Sequence, residues 1–191
     1  MSSFGTMQYR IACLLLAIAS LSTACASDGG ALSGRETWDG RVADNRHDFA
    51  ARLLKAHNEE RERMGMAPLQ WDAGLASHAE AWSADLARRN AFEHSPASRR
   101  PGEGENLFTG TAGAYSLEAM IGGFIAEKKD FRPGTFPAVS RTGQWSDVGH
   151  YTQIIWRSTT RVGCGLVSRG GQDWLTCRYS PPGNVVGVKV P

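Results

Sequence analysis

Residues 161–180 read RVGCGLVSRGGQDWLTCRYS, and this stretch constrains the fold more than any other. Two runs rich in β-branched and aromatic residues flank SRGGQD, a turn signal. Pairing 162–167 with 174–179 as a hairpin centred on Gly170-Gly171 sets Cys164 directly opposite Cys177. Facing residues of antiparallel strands lie within disulfide reach. A Cys164–Cys177 bridge is therefore expected, and two free buried thiols are the alternative. A zinc site would need more cysteines than these two.

The other two of the four cysteines, Cys13 and Cys25, sit near the start of the chain. Residues 11–21, IACLLLAIASL, form an apolar run of signal-peptide length behind Arg10, too short to span a bilayer comfortably. Ala24-Cys25-Ala26 fits a cleavage site that releases a soluble product. Leu21-Ser22-Thr23-Ala24-Cys25 also resembles a bacterial lipobox, with the leucine one place too far from the cysteine; Cys25 would then be lipidated. Both readings mean export, which favours disulfide formation. Residues 1–26 are thus expected to be an export signal, 27–46 a polar, Gly-rich linker, and 47–191 one domain.

The chain carries 21 Lys and Arg against 19 Asp and Glu. Its densest basic patch, Arg88-Arg89 and Arg99-Arg100, only flanks a loop. Nucleic-acid binding has little electrostatic support. A monomer is expected, with membrane contact only through a lipid anchor.

Helical periodicity runs over 48–64, where Phe49, Leu53 and Ala56 form a stripe opposite Glu59, Glu60, Arg61 and Arg63. Asp72 suits the N-cap of a second helix, 73–90, with the stripe Leu75, Ala79, Trp82 and Leu86. Residues 91–114 read as a long ordered loop, and Ser116 can cap a third helix, 117–130. Strands are expected at 150–156, 162–167 and 174–179. Helices first and strands later predict an α+β domain with an antiparallel sheet.

Four places carry candidate chemistry. Glu127 falls on the apolar stripe of Leu117, Met120, Phe124 and Phe131; a carboxylate facing a core must be paired, protonated or wet, unless it sits at the helix edge. GEGENLF (102–108) sets Glu105 and Asn106 between glycines and an apolar pair. FEHS (92–95) puts His94 after a helix end, where capping is the plain reading. GHYTQIIW (149–156) opens an apolar stretch with His150 and carries Gln153.

GHYTQIIWRSTTRVGCGLV (149–167) resembles one signature of the CAP superfamily, which includes cysteine-rich secretory proteins, venom antigens and plant pathogenesis-related proteins. LTCRYSPPGNVVG (175–187) looks like its second signature, and FEHS, GENLF and FIAEKKDF follow the family order. The resemblance covers about residues 48–188 and, with the lipobox, suggests a bacterial exported member. It implies a three-layer α-β-α sandwich with a central antiparallel sheet. It also implies a shallow cavity lined by His94, Glu105, Glu127 and His150, with Asn106 and Gln153 in support. Phe124 stands where the family often has Trp, and Phe131 where Tyr is common. Ion-channel blocking belongs to a Cys-rich module absent from this chain.

Two imidazoles, His94 and His150, suit zinc or another divalent cation, with the carboxylates orienting the rings. Relatives bind sterols, fatty acids or other lipids, so a hydrophobic small molecule or lipid is the expected partner. The loop 132–146, with Phe136, Pro137 and Trp145, is the candidate groove wall. The alternatives are a metal-assisted hydrolase using Glu105 or Glu127 as base, and a structural or adhesive envelope protein. No nucleophile motif or HExxH pattern marks an enzyme.

Overall fold

The structure, a computed structural model, describes residues 46–191. The expected export signal, linker and Cys25 lie outside the described residues. In chain order the elements are α1 (Arg46–Arg63), β1 (Gln70–Trp71), α2 (Ala73–Arg89), β2 (Gly104–Thr111) and α3 (Leu117–Ala126). Then come β3 (Gly134–Thr135), α4 (Gly149–Ile154), β4 (Arg161–Arg169), β5 (Gln172–Ser180) and β6 (Lys189–Val190).

The hairpin forms as its sequence dictates. β4 and β5 pair with Cys164 opposite Cys177, the two are bridged, and Gly170 and Gly171 turn the chain with φ of 56° and 80°. The four-stranded sheet runs β1-β4-β5-β2. β2, β5 and β4 are antiparallel, and the two-residue β1 joins β4 in parallel. β2 is therefore an edge strand, in a stretch expected to be loop; its terminal Gly104 and its Gly110 mask the strand pattern. β3 and β6 pair separately.

Alternation along β5 builds the layers. Leu175, Cys177 and Tyr179 enter a core shared with Leu53, Ile121 and Phe124, so α1, α3 and α4 cover that face. Trp174 packs with Trp82, Leu86 and Leu107 beneath α2 on the other face. The stripe Leu75, Ala79, Trp82 and Leu86 is buried as expected. Asp72 caps α2 by accepting the Leu75 N–H at 2.9 Å. α2 lies so close to β4 that a Cβ at Gly163 or Gly165 would overlap the backbone of Ala76 or Glu80.

Two expectations fail for one reason. GHYTQIIW is not a strand: residues 149–154 are α4, and residues 151–156 are all buried, so the alternating faces expected of a strand do not exist. Glu60 and Arg61 are not on an exposed helix face: they are 2% and 1% exposed. Arg61 donates to the carbonyls of Ile154 (2.8 Å), the last residue of α4, and of Trp156 (2.9 Å), just beyond it. Glu127 accepts the N–H groups of His150 and Tyr151 at the other end. A six-residue helix is too short to hold itself together. Here charged side chains from other segments take up orphan backbone groups at both ends. The third helix also ends early, at Ala126, and tightens into a 3-10 turn over Glu127–Asp130.

Candidate functional site

The four candidate residues form two histidine–carboxylate pairs about the edge strand β2. His94 Nδ1 lies 2.6 Å from Glu105 Oε1, and His150 Nδ1 lies 2.6 Å from Glu127 Oε1. β2 projects Glu105 and Asn106 to opposite faces. Glu105 meets Ser95 and Arg178 on the α2 side; Asn106 Nδ2 donates to the His150 carbonyl and to the Tyr179 hydroxyl, both at 3.1 Å.

Glu105 is nearly sealed. Ser95 gives its N–H (3.0 Å) and its hydroxyl (2.8 Å), and Arg178 Nη2 lies 3.0 Å away. Burial alone would raise the pKa of this carboxyl; His94, Arg178 and Ser95 outweigh it and hold the group below the ordinary carboxylate range. Ionised, Glu105 only accepts, so His94 Nδ1 carries the proton. His94 Nε2 has no hydrogen-bond partner among the described residues, on a side chain 56% exposed.

The second pair is held as firmly. Glu127 Oε2 accepts from the N–H of His150 at 2.9 Å and of Tyr151 at 3.1 Å. The Phe124 ring stacks on the His150 ring, centroids 4.7 Å apart and planes 23° from parallel. Tyr151 next to His150, and Lys128 next to Glu127, both donate to Glu60 Oε1, at 3.1 and 2.8 Å. One buried carboxylate on α1 thus ties down both sides of the pair. Gln153 is scaffold: its amide accepts from Gly183 N–H at 2.8 Å and donates to the Thr159 hydroxyl at 3.3 Å.

Phe124 as a stacking partner, and Ser95, Arg178 and Glu60, are not among the site residues that the sequence motifs point to. Arg178 carries a signal: it is the one charged residue in β5, QDWLTCRYS, on the face that Trp174 and Thr176 turn to α2. Of the loop expected to wall a groove, Phe136 is buried and Trp145 is 47% exposed, packed edge-on to Phe136 at 5.3 Å. The Trp145 ring lies over Gly149, one residue before His150. Val185, Val186 and Val188 are also exposed.

The donor set fits a metal in chemistry and only partly in number. With both Nδ1 atoms spent on carboxylates, both rings keep Nε2 for a ligand, the usual arrangement around a metal-bound histidine. Yet among the described residues no three His, Cys, Asp or Glu side chains gather closely enough to hold an ion. His94 and His150 could supply at most two protein ligands, with water completing the shell.

A model of the cysteine-rich secretory protein family, named CAP, matches residues 54–179. The chain belongs to this family. Pathogenesis-related leaf protein 4 of Solanum lycopersicum is 36% identical over 137 residues, covering 71% of this chain and 79% of that protein. Secreted protein RBT4 of Candida albicans is 33% identical and covers 86% of this chain but 43% of its own. Among solved CAP structures, NaASP2, crystallised with Zn2+, superposes with a TM-score of 0.62 at 22% identity, covering 75% of this chain and 85% of that one. The likeness extends to the α+β sandwich. No described helix is long and apolar enough to cross a membrane.

Proposed function

We propose that this CAP domain is exported and binds a hydrophobic small molecule or lipid, with His94 and His150 available to a divalent cation, zinc first. One observation carries the reading: the exposed Trp145 indole lies over Gly149, directly beside His150. An exposed indole thus packs on the residue that precedes an anchored imidazole, which suits an amphipathic ligand with its tail on the indole and its polar end toward His150. A secreted relative and a relative crystallised with Zn2+ support export and the choice of cation. A bound cation would fix the polar end of a ligand by charge.

Glu105 and Glu127 are each already engaged by three or more donors, so neither is a free base for hydrolysis. The decisive experiment is mass spectrometry of natively exported protein, with zinc titration alongside. It is expected to find co-purifying lipid, lost in Trp145→Ala, and zinc uptake. Protein that extracts no lipid and takes up no zinc removes the proposal; turnover abolished by both His94→Ala and Glu127→Ala would replace it with hydrolysis.

A further inference from the structure

Arg88, Arg89 and Arg99 are remote in sequence from the strand residue Arg178, yet the fold collects these four arginines along one groove. Two adjoining cavities, of about 450 and 430 Å³, lie along the flank of α2. They share Trp82, Asp85 and Arg99. Arg88, Arg89 and His94 line the first; His78, Glu103 and Arg178 line the second.

The balance of donors and acceptors decides what fits. Every carboxylate on the walls is already used. Asp85 binds Arg88 with one oxygen and Arg89 with the other, the latter at 2.8 Å. Glu93 takes Arg89 Nη1 at 2.7 Å. Glu103 takes His78 Nδ1 at 2.7 Å with one oxygen and faces Arg178 Nη1 at 3.5 Å with the other. The donors are not used up. Arg99 is exposed and makes no side-chain hydrogen bond or ion pair among the described residues. Arg88 spends one nitrogen on Asp85, and Arg89 keeps Nη2. Arg178, 3% exposed, has an Nε with no hydrogen-bond partner in the described structure. Such an orphan donor is costly to bury, and its residue lines the second cavity.

We infer that this groove is an anion-binding cleft, with Arg99 between its two halves, for a ligand bearing phosphate or carboxylate oxygens. Guanidinium groups bind both oxyanions in bidentate fashion. The cleft lies on the α2 side of the sheet, and its arginines take no part in the apolar ligand site proposed above. It meets the candidate site at His94, which lines the first cavity, and at Glu105, which stands between Arg178 and His94.

The test titrates the whole exported domain with sodium pyrophosphate and, separately, with citrate, following arginine Nε–H resonances by NMR. Saturable shifts are expected at Arg99 and Arg178. Affinity should drop about tenfold in Arg99→Gln, as loss of a charge-assisted bond implies, and should fall with added salt. Arg99 is exposed, so the variant is expected to fold. Response to pyrophosphate alone assigns a phosphate ligand, and response to citrate alone a carboxylate; either supports the cleft. Binding unchanged in His150→Ala keeps it separate from the proposed apolar site. No saturable shift with either anion, or equal binding by Arg99→Gln, overturns it.

Discussion

Glu127 grips His150 at two points, taking the ring Nδ1 at 2.6 Å and the backbone N–H at 2.9 Å. One side chain therefore fixes both the imidazole and the helix that carries it. Glu127→Ala leaves three donors without their acceptor and should cost about 1–3 kcal/mol. Glu127→Gln keeps a single acceptor oxygen and should fall between. Urea unfolding gives the energies. Nitrogen shifts of the His150 ring should show a change of tautomer in the alanine variant. An alanine variant as stable as the parent, with the ring unchanged, would remove Glu127 from both roles.

The hairpin was legible because its signals are local: two strand runs, a Gly-Gly turn and cysteines equidistant from it. α2 was legible from Asp72 and a regular stripe. α4 was not. Tyr151, Thr152 and Ile154-Ile155 favour strand, and the helix exists because Arg61 and Glu127 reach its ends from elsewhere. No window around 149–156 contains that information. The same non-locality hid Glu60 and Arg61, which look like surface charges on α1 and act as buried partners of α4. The four candidate residues were found by motif. Their division into two pairs on either side of β2 could come only from the pairing of β2 with β5.

His57 should make stability depend on acidity. It is fully buried, with Nδ1 2.7 Å from the Leu53 carbonyl and Nε2 2.8 Å from the Tyr179 hydroxyl. Burial, which outweighs the Leu53 bond and is reinforced by Arg61, pushes its pKa down to about 4. An unfolded histidine titrates near ~6.5, so between these values the unfolded chain binds the extra proton. The stabilisation is complete above the higher value and is lost as pH falls toward the lower, by about 3 kcal/mol. Urea midpoints across this window should show the decline, and His57→Gln should flatten that part of it. A wild-type profile with no decline there contradicts the assignment.

Close contact of α2 with β4 predicts an intolerance that exposure alone would not. A methyl at Gly165 would meet the Glu80 backbone, which cannot swing aside as a side chain can. Gly165→Ala should therefore destabilise by about 1–3 kcal/mol. Gly122→Ala, on an open face of α3 with nothing near its Cβ, should be neutral or stabilising. Thermal melts of the two variants compare them directly; equal melting temperatures would mean that α2 does not press on the sheet.

The disulfide should matter less for geometry than for the unfolded chain. Cys164 and Cys177 already face each other in the ladder, separated by 13 residues. Closing a loop of this size stabilises by about 3 kcal/mol on the chain-entropy account. The double variant Cys164→Ala, Cys177→Ala should lose about that much while keeping the hairpin amide shifts of the parent. Loss of those shifts would mean that the bridge, and not the turn, sets the register.

Zinc binding tests whether the two pairs act together. Protons compete for Nε2, so affinity should fall as the solution is acidified. If His94 and His150 share one ion, uptake reaches one zinc per chain and each of His94→Ala and His150→Ala abolishes it. If each pair binds alone, either variant leaves a weak site behind. The arrangement about β2, with no cluster of three ligands among the described residues, favours weak affinity in any case. Calorimetry on the parent and both variants separates these outcomes. Affinity that stays flat from neutral to acidic pH would rule histidine out as the ligand and leave the two imidazoles as anchors of the fold.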